Sequence, residues 1–396
     1  MRIGMILDAV FPPDPRVENE AVSLVKAGHE VFLFCLHYGE QKKLEVIHGI
    51  QVKRYLSNRL EYKLSALAYT IPLYTFLMKR KICQFIKENK IEILHVHDMR
   101  IADAVFSVNK KNGVPIVLDL HENRPEIMRF YPHLVKFPGK YLISPKKWKS
   151  KEEKFIRKAT KVIVVTSESR VEITKRIAVD VDKIVVVPNT VRENFYLNPK
   201  ADPEIIQHYS KSFVLLYIGD TGLRRGLETA IRSINLLRDK IENIKLVIVG
   251  KNTTDWILKK LAKDLGVEAY IDFLGWKDQH LFQSYILSSS ICISPLHRNL
   301  HHDTTYANKI FQYMSLGRPV LGSNATAQER IIKKSNAGLI HQEKDVQDFS
   351  NKVLDLYNNK SLREAFSENG SAFIKNQFSW EKTSKKLIHL YDNIKN

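Results

Sequence analysis

The stretch TTYANKIFQYMSLGRPVLGS, residues 304–323, is the part of the chain from which the fold can be worked out. A polar loop leads into an amphipathic helix, and a Gly-x-Pro turn then leads into a short apolar strand. The side chains predicted to face the core are those of Ile310, Phe311, Met314 and Leu316. Lys309 and Gln312 then lie near the helix N-terminus and the loop before it, where an ordinary polar helix face explains them as well as a ligand does.

The same alternation of apolar strands and helical segments continues along almost the whole chain and is typical of parallel α/β architecture. The predicted strands are RIGMILD, EVFLFCL, EILHVH, PIVLDL, KVIVVT and KIVVVP in the first half and FVLLYIGD, KLVIVG, YIDFLG, SICISP, PVLGS and AGLI in the second. Because these runs are apolar without alternation, both faces of each sheet should be buried.

A polar, proline-containing stretch at 193–204 interrupts this pattern and predicts a linker. We therefore expect an α/β protein made of two doubly wound, Rossmann-like domains, residues 1–195 and 205–376, facing each other across a cleft. Residues 377–396 have Trp380, Leu387 and Leu390 at helical spacing and predict a final helix.

Composition limits the class of protein. The chain of 396 residues has no uncharged apolar run of about 18 residues, so no transmembrane helix is predicted. Asp8 comes too early for a signal peptide, and the N-terminus predicts a strand. The three cysteines, Cys35, Cys83 and Cys292, form neither a CxxC pair nor a disulfide framework, which favours the reducing cytoplasm.

Several histidines are candidate metal ligands. His95 and His97 alternate on a predicted strand, and we expect one on each side of it, which disfavours a shared metal. His297, His301 and His302 cluster without a carboxylate or histidine at a fixed helical spacing. The sequence therefore predicts no metal site.

The net charge of +19 calls for an anionic partner. Residues 123–161 carry twelve Lys and Arg against three Asp and Glu, interleaved with aromatic residues. An anionic membrane surface and nucleic acid both suit such a segment, and a solvated basic face is the simpler alternative. Residues 64–81 predict an apolar helix with a basic end, either a peripheral membrane contact or a core helix.

The chain lacks some common phosphate-binding motifs and contains another candidate. The first strand–helix turn has no glycine, and GxxxxGK[ST] is absent, which disfavours classical dinucleotide binding and P-loop hydrolysis. Arg16 in that turn could contact an anion or form a salt bridge. The turn YIGDTGLRRGLETAI, which contains Gly219, places Arg225 at a helix N-terminus, where a diphosphate would bind well.

Three further residues follow predicted strands. Gly250 in VIVGKN allows a ring to approach the backbone closely. Trp276 in FLGWKD could stack on a base or cover the sheet edge. His121, after VLDL, could bond a sugar hydroxyl or relay a proton, although a lone histidine is more often structural.

In this order and spacing, the segments resemble the retaining family 4 glycosyltransferases of the GT-B fold. The resemblance implies that residues 205–376 bind a nucleotide-sugar, that residues 1–195 bind the acceptor, and that the final helix returns to the first domain. It assigns Arg225 to the donor diphosphate, His121 to the transferred sugar, and Asn308 and Lys309 to the phosphates and sugar. The donor is a co-substrate, and neither a cofactor nor a metal is implied.

Three departures from the family pattern are present. Its Glu-x7-Glu signature ends in a glutamate that holds the ribose, and Gln312 stands there; the first glutamate position is Thr304, beside Asp303. The glycine pair of the first turn is replaced by DPRVENE. Since an amide lacks the charge-assisted bond of a carboxylate, we expect weaker ribose binding rather than lost chemistry.

Four functions remain in competition. The favoured one is a metal-independent glycosyltransferase that builds a surface polysaccharide or glycolipid, cytoplasmic and peripheral at the inner face of the plasma membrane. The others are a catalytically impaired subunit that stabilises an active partner, a sugar-nucleotide epimerase, and a nucleic-acid-binding protein. Nucleic acid is the least favoured partner, and a glycan or glycolipid acceptor the most favoured.

Overall fold

The computed structural model describes residues 1–39, 41–131, 134, 137 and 139–394. The chain divides into two compact units. The first comprises Met1–Pro188 and Thr383–Asn396, and the second comprises Asn189–Lys382. The first division thus falls before the predicted linker at 193–204. Within the described ranges, no helix combines the length and apolar character needed to cross a membrane.

The first unit is built on an eight-stranded sheet with the order β3-β4-β2-β1-β5-β6-β7-β8. Its strands are β1 (Arg2–Val10), β2 (Glu30–His37), β3 (Leu44–Ile47), β4 (Ile50–Leu56), β5 (Ile93–His97), β6 (Ile116–Leu120), β7 (Lys161–Val164) and β8 (Ile184–Val186). All neighbouring pairs are parallel except β3 with β4. Without β3, this is the doubly wound order that reverses between β1 and β5.

Helices connect these strands. They are α1 (Pro15–Lys26), α2 (Arg59–Ser65), α3 (Leu73–Glu88), α4 (Ala102–Asn112), α5 (Arg124–Ile127), α6 (Gly139–Leu142), α7 (Pro145–Lys158) and α8 (Ser167–Arg176). Asp14 caps α1 by accepting a hydrogen bond from the Val17 amide, and Pro15 occupies the first helical position, where its missing N–H costs nothing.

The β3–β4 hairpin was not predicted. Its two-residue turn, His48 and Gly49, has φ angles of +50° and +83°. Positive φ at both central positions is typical of the turn that matches the twist of a hairpin. Leu44 and Val46 of β3 are exposed, so this edge strand lacks the continuous burial that revealed the other strands.

The single helix predicted at 64–81 is wrong. Helix α2 ends at Ser65 and α3 begins at Leu73, with Pro72 as its N-cap. Proline cannot donate a backbone hydrogen bond, and it disfavours the helical conformation of Ile71 before it. The apolar composition of this stretch is therefore divided between two helices and a turn.

The second unit has a six-stranded, fully parallel sheet with the order β11-β10-β9-β12-β13-β14. Its strands are β9 (Phe213–Ile218), β10 (Ile244–Val249), β11 (Ile271–Gly275), β12 (Ile291–Ser294), β13 (Val320–Ser323) and β14 (Gly338–His341). This is again the doubly wound order. All twelve strands predicted in the two halves are therefore confirmed.

The helices of the second unit pack on both faces of this sheet. They are α9 (Pro203–Tyr209), α10 (Leu227–Leu237), α11 (Asp255–Asp264), α12 (Phe282–Leu287), α13 (Leu300–Thr304), α14 (Lys309–Ser315), α15 (Thr326–Ser335), α16 (Val346–Asn358) and α17 (Lys360–Phe373). Successive residues of β9 enter different apolar clusters: Leu216 belongs to one and Leu215 to the other. The sheet is thus buried on both faces, as its continuous hydrophobicity indicated.

The end of the chain forms α18 (Trp380–Thr383) and α19 (Lys385–Ile394). Leu387, Leu390 and Tyr391 of α19 are buried, and α19 packs against β8 and α1 of the first unit. The Tyr391 hydroxyl lies 2.7 Å from Nδ1 of His95. The first unit is therefore completed by residues from the far end of the sequence.

Candidate functional site

Glycines at the carboxyl ends of β9 and β10 open a backbone site in the second unit. Gly219 follows β9 with φ +128°, and Gly250 follows β10 with φ +149°. A Cβ on Gly250 would lie 1.8 Å from the Gly219 carbonyl oxygen, so only glycine allows the two loops to approach. In open α/β sheets this edge is where ligands bind.

Asp220 organises the loop after Gly219. One carboxylate oxygen accepts a hydrogen bond from the Asn252 side chain at 2.6 Å, and the other accepts from Nε of Arg225 at 3.2 Å. Arg225 ends a 3-10 turn, and Gly226, with φ +75°, begins helix α10. The structure thus places Arg225 at a helix N-terminus, as predicted, and adds Asp220 and Asn252, which sequence reasoning missed.

Lys309 begins helix α14, and its ammonium group is buried. Its Nζ lies 3.3 Å from the centre of the Tyr217 ring and, among the described residues, has no hydrogen-bond partner. Burial, reinforced by the positive charge of Arg225, lowers the Lys309 pKa well below its ordinary value. A buried ammonium without an ion partner is costly, so this position favours an anionic ligand.

A third cation joins this group. Nη1 of Arg224 lies 3.0 Å from Nε2 of His302, and Nδ1 of His302 lies 2.7 Å from the His297 carbonyl oxygen. Burial lowers the pKa of His302 to about 3, so its neutral ring donates to the carbonyl and accepts from Arg224. Three cations therefore surround the single carboxylate of Asp220, and their excess positive charge suits a diphosphate.

In the first unit, the polar cluster is centred on Asp119 of β6. Its carboxylate is held by Arg16 in a bidentate pair, at 2.9 and 2.7 Å. The same carboxylate lies 2.9 Å from Nε2 of His121, at the end of β6. Burial opposes a charged His121, but Asp119 outweighs it and raises the pKa of His121 to about 9. His121 is therefore an imidazolium at neutral pH.

Arg16 is buried, and its other contacts are Glu20 at 2.9 Å and the Val187 carbonyl oxygen at 3.3 Å. The sequence left two roles open for Arg16, an anion contact and a salt bridge. The structure shows the salt bridge, since the guanidinium pairs with Asp119 and Glu20. The predicted donor contact of Arg16 is not supported by this geometry.

The expectation that His95 and His97 lie on opposite sides of their strand is wrong. Residues two apart on a strand share a face, and the two rings stack with centres 4.4 Å apart. With Glu20 and Asp119 they bring four possible metal-ligand atoms within 4.8 Å of one another. Arg16 contacts both carboxylates, and His121 contacts that of Asp119; the expectation that no metal binds here stays a prediction.

Further polar residues, which the sequence analysis did not single out, surround His121. Asp8 and Arg100 pair at 3.1 Å, and Asp98 and Arg124 pair at 2.6 Å. A pocket of 300 Å³ is lined by these four residues together with His97 and His121. The missed signal was their position, since Asp8 lies in β1 and Asp98 follows β5, at the same edge of the sheet.

Known families match both units. Residues 16–195 match the family described as Glycosyltransferase Family 4, and residues 199–373 match Glycosyl transferases group 1. The chain belongs to the family 4 glycosyltransferases. This confirms the resemblance drawn from the sequence.

Named relatives of this family 4 glycosyltransferase are distant in sequence. The uncharacterized glycosyltransferase MJ1607 of Methanocaldococcus jannaschii is 22% identical over 94% of this chain and 91% of the relative. The capsular polysaccharide biosynthesis glycosyltransferase CapM of Staphylococcus aureus is 23% identical over 50% of this chain and 51% of the relative. The chain spans about half the length of most curated relatives that it matches.

Solved structures confirm the GT-B fold. Sucrose-phosphate synthase from Thermosynechococcus elongatus has a TM-score of 0.78 at 14% identity, covering 99% of this chain and 98% of that one. HepE from Anabaena, in complex with UDP-glucose, has a TM-score of 0.72 at 14% identity, covering 99% of this chain and 100% of that one. The fold of this family 4 glycosyltransferase is thus shared across proteins of very different sequence.

The structure gives mixed support to the other predicted donor residues of this glycosyltransferase. Asp303 bonds Arg298 and accepts from the Thr326 amide at 2.8 Å, which caps α15. The Thr304 hydroxyl is buried and donates to the Leu300 carbonyl. The contacts of Asp303 and Thr304 are therefore structural, and a donor role for either finds no support in them.

Three predicted donor residues remain accessible. Asn308 is exposed at the N-cap of α14, and Gln312 in α14 is partly exposed. Trp276 is 64% exposed, so most of its side chain is accessible. Their contacts to a donor stay predictions.

Proposed function

We propose that this protein is a retaining glycosyltransferase that moves a sugar from a nucleoside-diphosphate donor to a glycan or glycolipid acceptor in cell-surface glycan synthesis. The observation that carries the proposal is the buried ammonium of Lys309, which has no hydrogen-bond partner among the described residues and lies beside Arg225 and the glycine-lined end of β9. The complex of HepE with UDP-glucose supports a nucleotide-sugar donor. The name of CapM supports a polysaccharide product.

Breaking the bond between sugar and phosphate leaves negative charge on the departing diphosphate. Arg225, fixed by Asp220, and Lys309 would stabilise that charge where it develops, together with the N-terminus of α10. Gly219 and Gly250 would let the donor approach the backbone closely. The side chains thus supply electrostatic stabilisation, and no protein nucleophile or metal ion is part of this proposal.

His121 contacts the transferred sugar in this proposal. Asp119 keeps its imidazole protonated and oriented, so that the ring donates hydrogen bonds rather than accepting a proton. A phosphate oxygen of the donor then takes the proton of the acceptor hydroxyl on the same face of the sugar, which gives retention. His121 is therefore a binding group for the transition state, with Asp119 as its positioning residue.

We also propose a cytoplasmic location at the inner face of the plasma membrane. The basic residues of 123–161 would contact anionic lipids, and the exposed apolar side chains of residues 59–76 would enter the interface. Nucleic acid is not expected to compete for the basic segment under physiological salt. A steep salt dependence of DNA or RNA binding would contradict this assignment.

The deciding experiment is a thermal-shift panel of UDP, GDP, ADP, CDP and dTDP at matched ionic strength, with nucleic acid as a control. One diphosphate should raise the melting temperature of the wild type and of Arg232→Ala, an exposed arginine on α10. Arg225→Ala should remove the shift. If no diphosphate stabilises a well-folded protein, or if the two arginine variants behave alike, the donor site is wrong.

Gln312 supports one alternative, a catalytically impaired subunit that stabilises an active partner. The amide cannot supply the charge-assisted hydrogen bond of a glutamate to a ribose hydroxyl. For the active enzyme, Gln312→Glu should tighten donor binding of a protein that already turns over. Transfer activity that appears only in Gln312→Glu would favour the impaired subunit instead.

A further inference from the structure

A large apolar pocket lies in the first unit. It has a volume of 860 Å³ and lies among α2, the turn that follows α2, and described residues between Met128 and Trp148. The lining includes Ala66, Leu67, Met128, Leu142, Ile143 and Trp148. Its size and apolar lining are typical of ligand sites rather than of packing defects.

This pocket adjoins the smaller polar pocket that contains His121. Arg100 and Arg124 line both cavities, so the two guanidinium groups stand at their junction. A ligand that filled both cavities would have an apolar part in the large one and a polar part beside His121. The link between these parts would pass the two arginines.

The arginines at the junction are suited to an anionic link. Arg100 pairs with Asp8 through Nη2, and Arg124 pairs with Asp98 through Nη2 and lies 3.4 Å from Glu122 and from the Tyr131 hydroxyl through Nη1. The Nε of each arginine is buried without a partner among the described residues. A guanidinium has five N–H donors, so these ion pairs use only part of their capacity. Planar guanidinium groups match phosphate oxygens well.

The rim of the large pocket is apolar and exposed. Tyr62 is 58% exposed, and both Tyr62 and Leu142 line the cavity. Tyr141 beside it is 76% exposed, and the Lys140 ammonium lies 6.0 Å from its ring. Amphipathic aromatic and basic side chains at one opening are typical of a surface that meets a membrane interface.

We propose that the large pocket binds the hydrocarbon chain of a lipid-phosphate acceptor, with the phosphate at Arg100 and Arg124 and the sugar-accepting end beside His121. This inference rests on the proposed function and adds the chemical class of its acceptor. It commits the site to one occupant, a single hydrocarbon chain that ends in a phosphate ester.

The test uses farnesyl phosphate as the probe, with farnesol and inorganic phosphate for comparison, in calorimetric titrations of the full chain. Farnesyl phosphate should bind at least about tenfold more tightly than farnesol, and inorganic phosphate should not bind measurably. Ala66→Trp, which fills the pocket, should weaken farnesyl phosphate about tenfold or more. Leu236→Trp, on an exposed position of α10, is the matched control and should not.

Two further variants keep the test decisive if Ala66→Trp fails to fold. Leu142→Glu places a charge on the partly exposed rim and should also weaken the probe. Arg100→Gln should remove the preference for farnesyl phosphate over farnesol; burial raises the pKa of Asp8, so the carboxyl left behind can take up a proton. Each variant must keep its melting temperature and its stabilisation by the nucleoside diphosphate.

The outcomes separate this inference from the proposed function. If a nucleoside diphosphate binds but farnesyl phosphate does not, or binds Ala66→Trp and Leu236→Trp equally, the lipid site is overturned and the transferase proposal stands. If farnesyl phosphate binds but no diphosphate does, the pocket has no acceptor role and this inference fails with the proposed function.

Discussion

The ammonium of Lys309 is buried against Tyr217 with no hydrogen-bond partner among the described residues, and burial with Arg225 lowers its pKa. A bound diphosphate reverses this balance because its charge favours the protonated amine. Binding should therefore be coupled to proton uptake whenever the pH lies between the Lys309 pKa values of the free and bound protein.

We expect uptake of up to about one proton per diphosphate within that pH range, measured above a second phosphate pKa of about 6, where the phosphate is already ionised. The measurement is calorimetry of the stabilising diphosphate in two buffers of different ionisation enthalpy. Lys309→Met should abolish the uptake and weaken binding by roughly 10- to 100-fold, as for a lost charge-assisted hydrogen bond. Equal uptake in both proteins would assign the proton to another group.

Glu20 and Asp119 share Arg16, but only Asp119 also contacts His121. Burial raises the pKa of Glu20 to about 8, while Arg16 and His121 overcome burial at Asp119 and hold the pKa of that carboxyl well below its ordinary value. A raised pKa means that the folded state binds the proton more tightly. The resulting stability is present at low pH and is lost as the pH rises through the folded pKa.

The stabilisation from Glu20 should therefore be lost between about pH 4.5 and 8 and that from His121 between about pH 6.5 and 9, by at most about 1.4 kcal/mol per pH unit for each group. Glu20→Gln should remove the Glu20 part of this slope and keep the part from His121. Urea unfolding at several pH values measures it, with Glu18→Gln on the same helix as control. A parallel loss of slope in both variants would contradict the assignment.

At the scale of elements, the loops after β9 and β10 need glycine because their backbones approach closely, and not only because glycine is conformationally free. A Cβ on Gly250 would lie 1.8 Å from the Gly219 carbonyl oxygen. The backbone at both positions is held by hydrogen bonds, from the Gly219 amide to the Val249 carbonyl and from the Gly250 amide to the Gly275 carbonyl. Gly266, with φ +62°, has no atom within 4 Å of the position of an added Cβ. An alanine at Gly250 therefore adds a steric clash, whereas an alanine at Gly266 adds only the free-energy cost of a left-handed backbone.

Gly266→Ala should cost about 1–2 kcal/mol from its left-handed backbone. Gly250→Ala should cost distinctly more and should also abolish stabilisation by the nucleoside diphosphate, which Gly266→Ala should keep. Denaturant unfolding and the thermal-shift panel give the two readouts. Equal costs, or a retained nucleotide shift in Gly250→Ala, would show that the loops can move apart.

The elements also show where sequence patterns failed. The predicted helix at 64–81 breaks at Pro72, whose effect on backbone donors outweighs the apolar composition around it. The β3–β4 hairpin was missed because β3 is an exposed edge strand, although its His48–Gly49 turn was a usable signal. The helix starting at Lys309, by contrast, has Ile310, Phe311 and Met314 buried as predicted.

At the scale of the whole molecule, the first unit is discontinuous. Leu387 of α19 is fully buried and Tyr391 reaches His95 of β5, so the fold of residues 1–188 uses contacts from the last residues of the chain. Substitutions that weaken the packing of α19 should therefore destabilise the first unit, although the sequence just before this terminal segment belongs to the second unit.

Leu387→Ala should destabilise the first unit by about 2–5 kcal/mol, as for other buried leucines. Hydrogen exchange measured by mass spectrometry should show lost protection at 93–97 and 184–186 and unchanged protection at 213–218. Lys386→Ala, at an exposed position of the same helix, should change neither. Lost protection at 213–218 instead would mean that α19 supports the second unit.

The sequence by itself determined the order of the twelve predicted strands, the family, and the positions of Gly219, Arg225, Lys309 and His121 at strand or helix ends. These follow from local signals, since strand burial, turn residues and helix starts are written within a few neighbouring residues. The roles of these residues in donor binding stay predictions.

Only the tertiary structure decided which charges meet. Arg16 and Asp119 are 103 residues apart, yet they form the buried pair that controls His121. Asp8 pairs with Arg100, and Arg100 and Arg124 line both pockets, because the strand order places β1, β5 and β6 side by side. Local patterns predict which segments become strands, but the contacts among buried polar groups depend on how those strands are arranged in the sheet.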